Sequence, residues 1–82
     1  MKNRLVRIDV TFEFLETTGM LDAMHFLRLI PLRIDHGEKI NMVTFVCMGE
    51  ELKQIKEGEV IPKALIIVHK DNDSITYEVN YL

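Results

Sequence analysis

Eighty-two residues leave room for one domain, and 48% hydrophobic with 28% charged residues exclude both a disordered chain and an enzyme with separate cofactor and substrate lobes. A chain this short buries only about 60% of the surface its unfolded form exposes, so its core is thin and oligomerisation is expected from the outset. Thirteen Asp and Glu outnumber ten Lys and Arg, for a formal charge of −3, which disfavours a life on nucleic-acid phosphates.

From Val6 to Phe14 the even positions are Val6, Ile8, Val10, Phe12 and Phe14 and the odd ones Arg7, Asp9, Thr11 and Glu13, the period of two that predicts a strand with one wet face. A register slip of one residue would bury four polar groups, so its pairing is well specified. Glu16 to Gly19 breaks the alternation. Met20, Ala23, Met24, Leu27 and Ile30 then recur at three and four, predicting a helix from about Thr18 to Leu29. Thr17 or Thr18 would cap it, Asp22 and Arg28 complement its dipole, and Pro31 forbids its continuation.

Leu32 to Ile34 reads as a short strand, His36-Gly37 as a turn, and Ile40 to Met48 as a further strand. In that strand Val43, Phe45 and Cys47 share one face while Met42, Val46 and Met48 share the other with only Thr44 between them, so both faces call for burial. Gly49 to Gly58 predicts a two-turn helix carrying Leu52 and Ile55 at i, i+3, marginal on its own. Pro62 opens a strand over Lys63 to Lys70, again apolar on both faces through Ala64, Ile66, Val68 and Leu65, Ile67. Asp71-Asn72-Asp73 supplies turn chemistry, and Ile75, Tyr77, Val79 and Tyr81 alternate with Thr76, Glu78 and Asn80 in a last strand, close enough to the previous one for a hairpin.

This order predicts a single α+β domain over residues 1–82, a small mixed sheet of about five strands with one or two short helices. Its first six elements match the β-α-β-β-α-β split motif of ferredoxin-like folds, in element order alone. The alternative is a small closed β-barrel with the first helix as a plug.

The candidates for chemistry are few. Cys47 sits in an apolar strand, where desolvation suppresses the thiolate, so packing outweighs a nucleophile paired with His25, His36 or His69. None of the common zinc spacings joins these side chains. Glu50-Glu51 read as dipole-complementing charge at a helix start and Asp71 with Asp73 as a turn, without the further ligands of a calcium loop. Gly19, Gly37, Gly49 and Gly58 are too scattered for a phosphate loop. Tyr77 with Tyr81 and Phe12 with Phe14 form aromatic rows that suit packing better than base stacking, since Glu78 and Asn80 interleave the tyrosines. No catalytic group, metal or cofactor is expected.

Two surfaces remain. The basic candidate is Arg28, Arg33 and Lys39 with His25 and His36, diluted by Asp35 and Glu38, and a nucleic-acid reading would add Lys2, Arg4 and Arg7. The apolar candidate is Met42, Val46, Met48, Leu65 and Ile67, because a layer of short helices covers only one side of a sheet and an uncovered row of this kind marks an interface. The expectation is therefore a self-associating interaction or regulatory module, partnered by a second copy or by another protein, with a small nucleic-acid-binding domain as the alternative. A lone cysteine fits the reducing cytosol. The alternating N-terminus is no signal peptide, and no apolar run reaches the roughly 18 residues of a membrane span.

Overall fold

The computed structural model describes residues 3–17, 19–37 and 39–82, without the side chain of Thr17. The two expected caps, Thr17 and Thr18, and the charges of Lys2 and Glu38 thus lie outside the described residues or side chains. Along the chain come β1 (Leu5–Thr11), α1 (Phe12–Thr17), α2 (Met20–Leu27), β2 (Ile30–His36), β3 (Met42–Met48), β4 (Lys63–Asp71) and β5 (Ser74–Tyr81). The strands form one mixed sheet in the order β2-β3-β1-β4-β5. The β1–β4 pair is parallel and the other pairs are antiparallel. The sheet stays open, with β2 and β5 at its edges, so the barrel alternative is set aside.

Three expectations about local structure are corrected. The first strand ends at Thr11 rather than Phe14. The Thr11 hydroxyl accepts the Phe14 N–H at 3.0 Å, the bond of an N-cap, and Glu13 complements the first turn of α1. Phe14 and the adjacent Leu15 can then both pack against the core, which neighbouring residues of a strand cannot do on one face. The last rung of β1 is the bond from the Phe12 N–H to the Asn41 carbonyl.

The second helix is shorter than expected at both ends. Gly19, with φ 75°, precedes it, and Arg28, with φ 56°, closes it in a left-handed cap whose N–H reaches the His25 and Met24 carbonyls. The chain has therefore left the helix before Pro31 and already runs as β2 from Ile30.

The short helix expected over residues 49–58 does not form. Its backbone groups are claimed by distant partners instead: the Gly49 N–H by the Arg4 carbonyl and the Ile55 N–H by the Asn3 carbonyl. The Arg4 guanidinium donates to the Leu52 carbonyl at 2.6 Å, and the Tyr81 hydroxyl accepts the Lys53 N–H at 3.1 Å. Two turns of helix could not compete with four anchors of this kind. Without a helical crossover the connection returns β4 antiparallel to β3 and parallel to β1, so the resemblance of element order to a split β-α-β-β-α-β motif stops after the fourth element.

The registers assign the two faces of the sheet. Val6, Ile8 and Val10 of β1 lie level with Cys47, Phe45 and Val43 of β3, and Ile8 is level with Ala64 of β4. This face packs under Met20, Ala23 and Met24 of α2 and under Leu29 and Leu52, forming the buried core. Phe26 of α2 meets Tyr77 of β5 edge to face, with ring centroids 5.5 Å apart. The helix layer leaves Ile34 of β2, on the same side as Phe45, 62% exposed.

Candidate functional site

The other face of the sheet is turned away from α2. Its side chains are Met42, Thr44, Val46 and Met48 from β3, Leu5, Arg7, Asp9 and Thr11 from β1, Lys63, Leu65 and Ile67 from β4, and Thr76, Glu78 and Asn80 from β5, as the cross-strand registers require. All five residues of the apolar candidate thus share one side. They are not equally open: Val46 is 5% exposed, and Met42, Met48, Leu65 and Ile67 are half-buried.

β1 divides them with charge. Arg33, Val46, Arg7 and Lys63 form one row across four strands. The next row runs Asp35, Thr44, Asp9, and the Thr44 hydroxyl, on a residue only 1% exposed, donates to Asp9 Oδ1. A cationic row therefore borders an acidic one.

β1 and β4 pair over only two rungs, Arg7↔Lys63 and Ile8↔Ala64. Beyond them the strands splay around a groove of about 410 Å³, lined by Asp9, Thr11, Phe14, Lys39, Met42 and Leu65 among others. Its apolar walls and single lysine offer no convergent set of acid, base and nucleophile.

The basic candidate is not assembled. Arg28 precedes β2 and Lys39 follows it, so the seven residues of that strand hold them about 20 Å apart. Arg33 is paired with Asp35, its Nε donating to Oδ2 at 2.9 Å. Arg28 instead borders a shallow pocket with His25, Leu29, Ile30 and Glu50. Of the basic residues considered, Arg7 and Arg33 are the ones that share a row.

The other candidates are dispersed. His25 lies in the last turn of α2, His36 ends β2, and His69 faces Glu78 across the β4–β5 hairpin with Nε2 3.4 Å from Oε1. Among the described residues no three His, Cys, Asp or Glu side chains gather as a metal site. Asp71 and Asp73 form the tight hairpin turn, with Asn72 at φ 44° and the Ser74 hydroxyl donating to the Asp71 carbonyl. Glu50 and Glu51 stand at a turn rather than at a helix start. The tyrosines face the helix side, where Lys53 Nζ lies 4.5 Å over the Tyr81 ring.

Cys47 is wholly enclosed beside Val6 and Phe45, and burial pushes its thiol up from the ordinary 9.0 to about 11. A thiol probe at neutral pH should label it only as fast as the chain unfolds. Between pH 9 and about 11 the unfolded chain loses this proton and the folded chain keeps it, so stability falls as pH rises through that window. Denaturant unfolding at both limits should show a smaller decline in a Cys47→Ala chain, and equal declines would contradict the assignment.

The feature that sequence reasoning missed is the β2 edge. Ile30, Leu32 and Ile34 are 45%, 54% and 62% exposed, whereas the five residues of the apolar candidate are buried or half-buried. The available signal was the alternation around Arg33 and Asp35, but a strand read only over residues 32–34 does not reveal a seven-residue edge.

Among the described residues no helix is long and apolar enough to cross a membrane. No protein-family profile, no curated protein and no solved structure matches the chain.

Proposed function

We propose that the chain is a non-catalytic interaction module of the reducing cytosol that associates with a second copy of itself through its sheet. The observation that carries this reading is the placement of Met42, Val46, Met48, Leu65 and Ile67, from strands on either side of β1, on the one face turned away from α2. Apolar residues collected there gain from a covering partner, and a thin core gains from an oligomer. The two adjacent rows of opposite charge would orient such a partner without adding much affinity.

Light scattering over a concentration series tests it. A mass above that of one chain is expected, reduced by Ile67→Lys in a chain that still folds. A strict monomer at every concentration contradicts self-association.

A nucleic-acid reading keeps one specific observation in its favour, the row of Arg33, Arg7 and Lys63 across the open face. It predicts binding of single-stranded nucleic acid at low salt that weakens steeply as salt rises and on Arg7→Ala. No binding at low salt removes it.

A further inference from the structure

We infer that β2 is a second contact surface and that its occupant is β2 of another copy, paired antiparallel with Ile34 opposite Ile34 so that the sheet continues from one chain into the next. The inference concerns the sheet edge and deepens the self-association proposed above without requiring the open face.

The edge has the backbone to do it. The Gly37 N–H donates to the Met42 carbonyl across the β2–β3 pair, and Asp35 lies opposite Thr44 and Arg33 opposite Val46. By strand alternation residues 33, 35 and 37 turn their backbone groups toward β3, which leaves those of Ile34 and His36 directed away from the sheet. Pro31 has no N–H, and the bulge between Pro31 and Arg33 disturbs the ladder there. The regular free edge is thus the segment from Arg33 to His36.

Charge complementarity selects the partner and the register. Arg33 and Asp35 lie on the open side of the sheet, two residues apart, and flank Ile34. Centred on Ile34, an antiparallel pair of β2 strands sets each Arg33 opposite the other copy's Asp35. These are non-hydrogen-bonded positions, where facing side chains approach most closely. Centring the pair on residue 33 instead sets arginine against arginine, and centring it on residue 35 sets aspartate against aspartate. The two neighbouring registers are therefore repelled and the middle one is attracted. On the helix side the same register brings the two Ile34 side chains together, each 62% exposed in the single chain. An exposed edge strand is ordinarily blunted by charge or proline; here the proline and bulge cover one end, and the two charges at the other are of opposite sign, which a second copy in this register complements.

The two-fold axis of this pairing stands normal to the sheet. Both open faces consequently lie on the same side of a ten-stranded sheet, doubling the platform available to a partner.

The test uses charge reversal and mixing, read by light scattering or sedimentation, with circular dichroism to confirm folding. Arg33→Asp and Asp35→Arg should each weaken association by about tenfold or more, since each replaces two attractive pairs by two repulsive ones. An equimolar mixture of the two variants should recover it, because an acidic β2 then meets a basic one. General charge does not explain such recovery: from −3, the variants carry −3 − 2 = −5 and −3 + 2 = −1, both negative. Ile34→Pro removes the central outward N–H without altering the open face and should also weaken association. Single variants that associate like the wild type, or a mixture without recovery, overturn the edge contact. Loss of association in Ile67→Lys together with no effect of Ile34→Pro overturns the edge and leaves the open face standing. A wild-type chain that is monomeric throughout overturns both.

Discussion

Replacing Leu52 with alanine should lower the stability of the fold by about 2–4 kcal/mol, as large apolar side chains do when deleted from a close-packed site. Leu52 is 4% exposed and belongs to the core cluster, although it comes from a connection without a helix or strand. Its carbonyl is held by Arg4 and the following N–H by Tyr81, so the backbone is fixed and cannot collapse into the space left behind. A domain of this size has on the order of 4–12 kcal/mol of total stability. The substitution would therefore move the midpoint of urea unfolding far toward zero. A neighbouring exposed control, Lys53→Ala, should lose no more than the contact over Tyr81, and a loss as small in Leu52→Ala would show that the connection does not seal the core.

A comparable loss, about 3 kcal/mol, is expected of Gly37→Ala, for a different reason. A Cβ at Gly37 would stand 2.5 Å from the Met42 carbonyl oxygen and 2.6 Å from its carbon. Those are backbone atoms, and the same carbonyl accepts the Gly37 N–H at 3.1 Å, so relief requires opening the β2–β3 turn. Thermal unfolding would read the loss. Because the turn sets the pairing of β2, association through that edge should decline alongside stability. An unchanged melting temperature would mean that the turn accommodates a methyl group by another path.

The regions that could be read from sequence are those in which one pattern competes with nothing. Ile75 to Tyr81 alternate cleanly beside an Asp-Asn-Asp turn, and β4 with β5 follows that pattern almost to the residue. The division of β3 and β4 into two apolar faces was also legible, and with it the composition of the open face. Elsewhere two local signals coincided. Phe12 and Phe14 satisfy a strand alternation, yet Thr11 is a cap and Leu15 must share a side with Phe14, which decides for a helix once the sheet ends at Asn41. Leu52 and Ile55 satisfy a helical spacing, yet bonds to Asn3, Arg4 and Tyr81 hold their segment as an irregular connection with a turn at Glu50 and Glu51. Those partners are about 28 to 52 residues distant in sequence, beyond the reach of any local periodicity. The β2 edge was hidden for a related reason: exposure of Ile30, Leu32 and Ile34 depends on which strand ends the sheet, and strand order is a property of the whole chain.

The two rungs that join β1 to β4 divide the molecule unequally. On one side stand β1, β2 and β3, tied by long antiparallel ladders, and on the other the β4–β5 hairpin, whose backbone pairs with β1 at Arg7 and Ile8. The backbone seam is narrow, so what secures the hairpin is side-chain packing on the helix side: buried Ala64 in the core, Tyr77 against Phe26, and the Tyr81 hydroxyl on the Lys53 N–H. Truncating those side chains, rather than loosening the two rungs, is what would let the hairpin exchange its amide protons ahead of the three-stranded remainder.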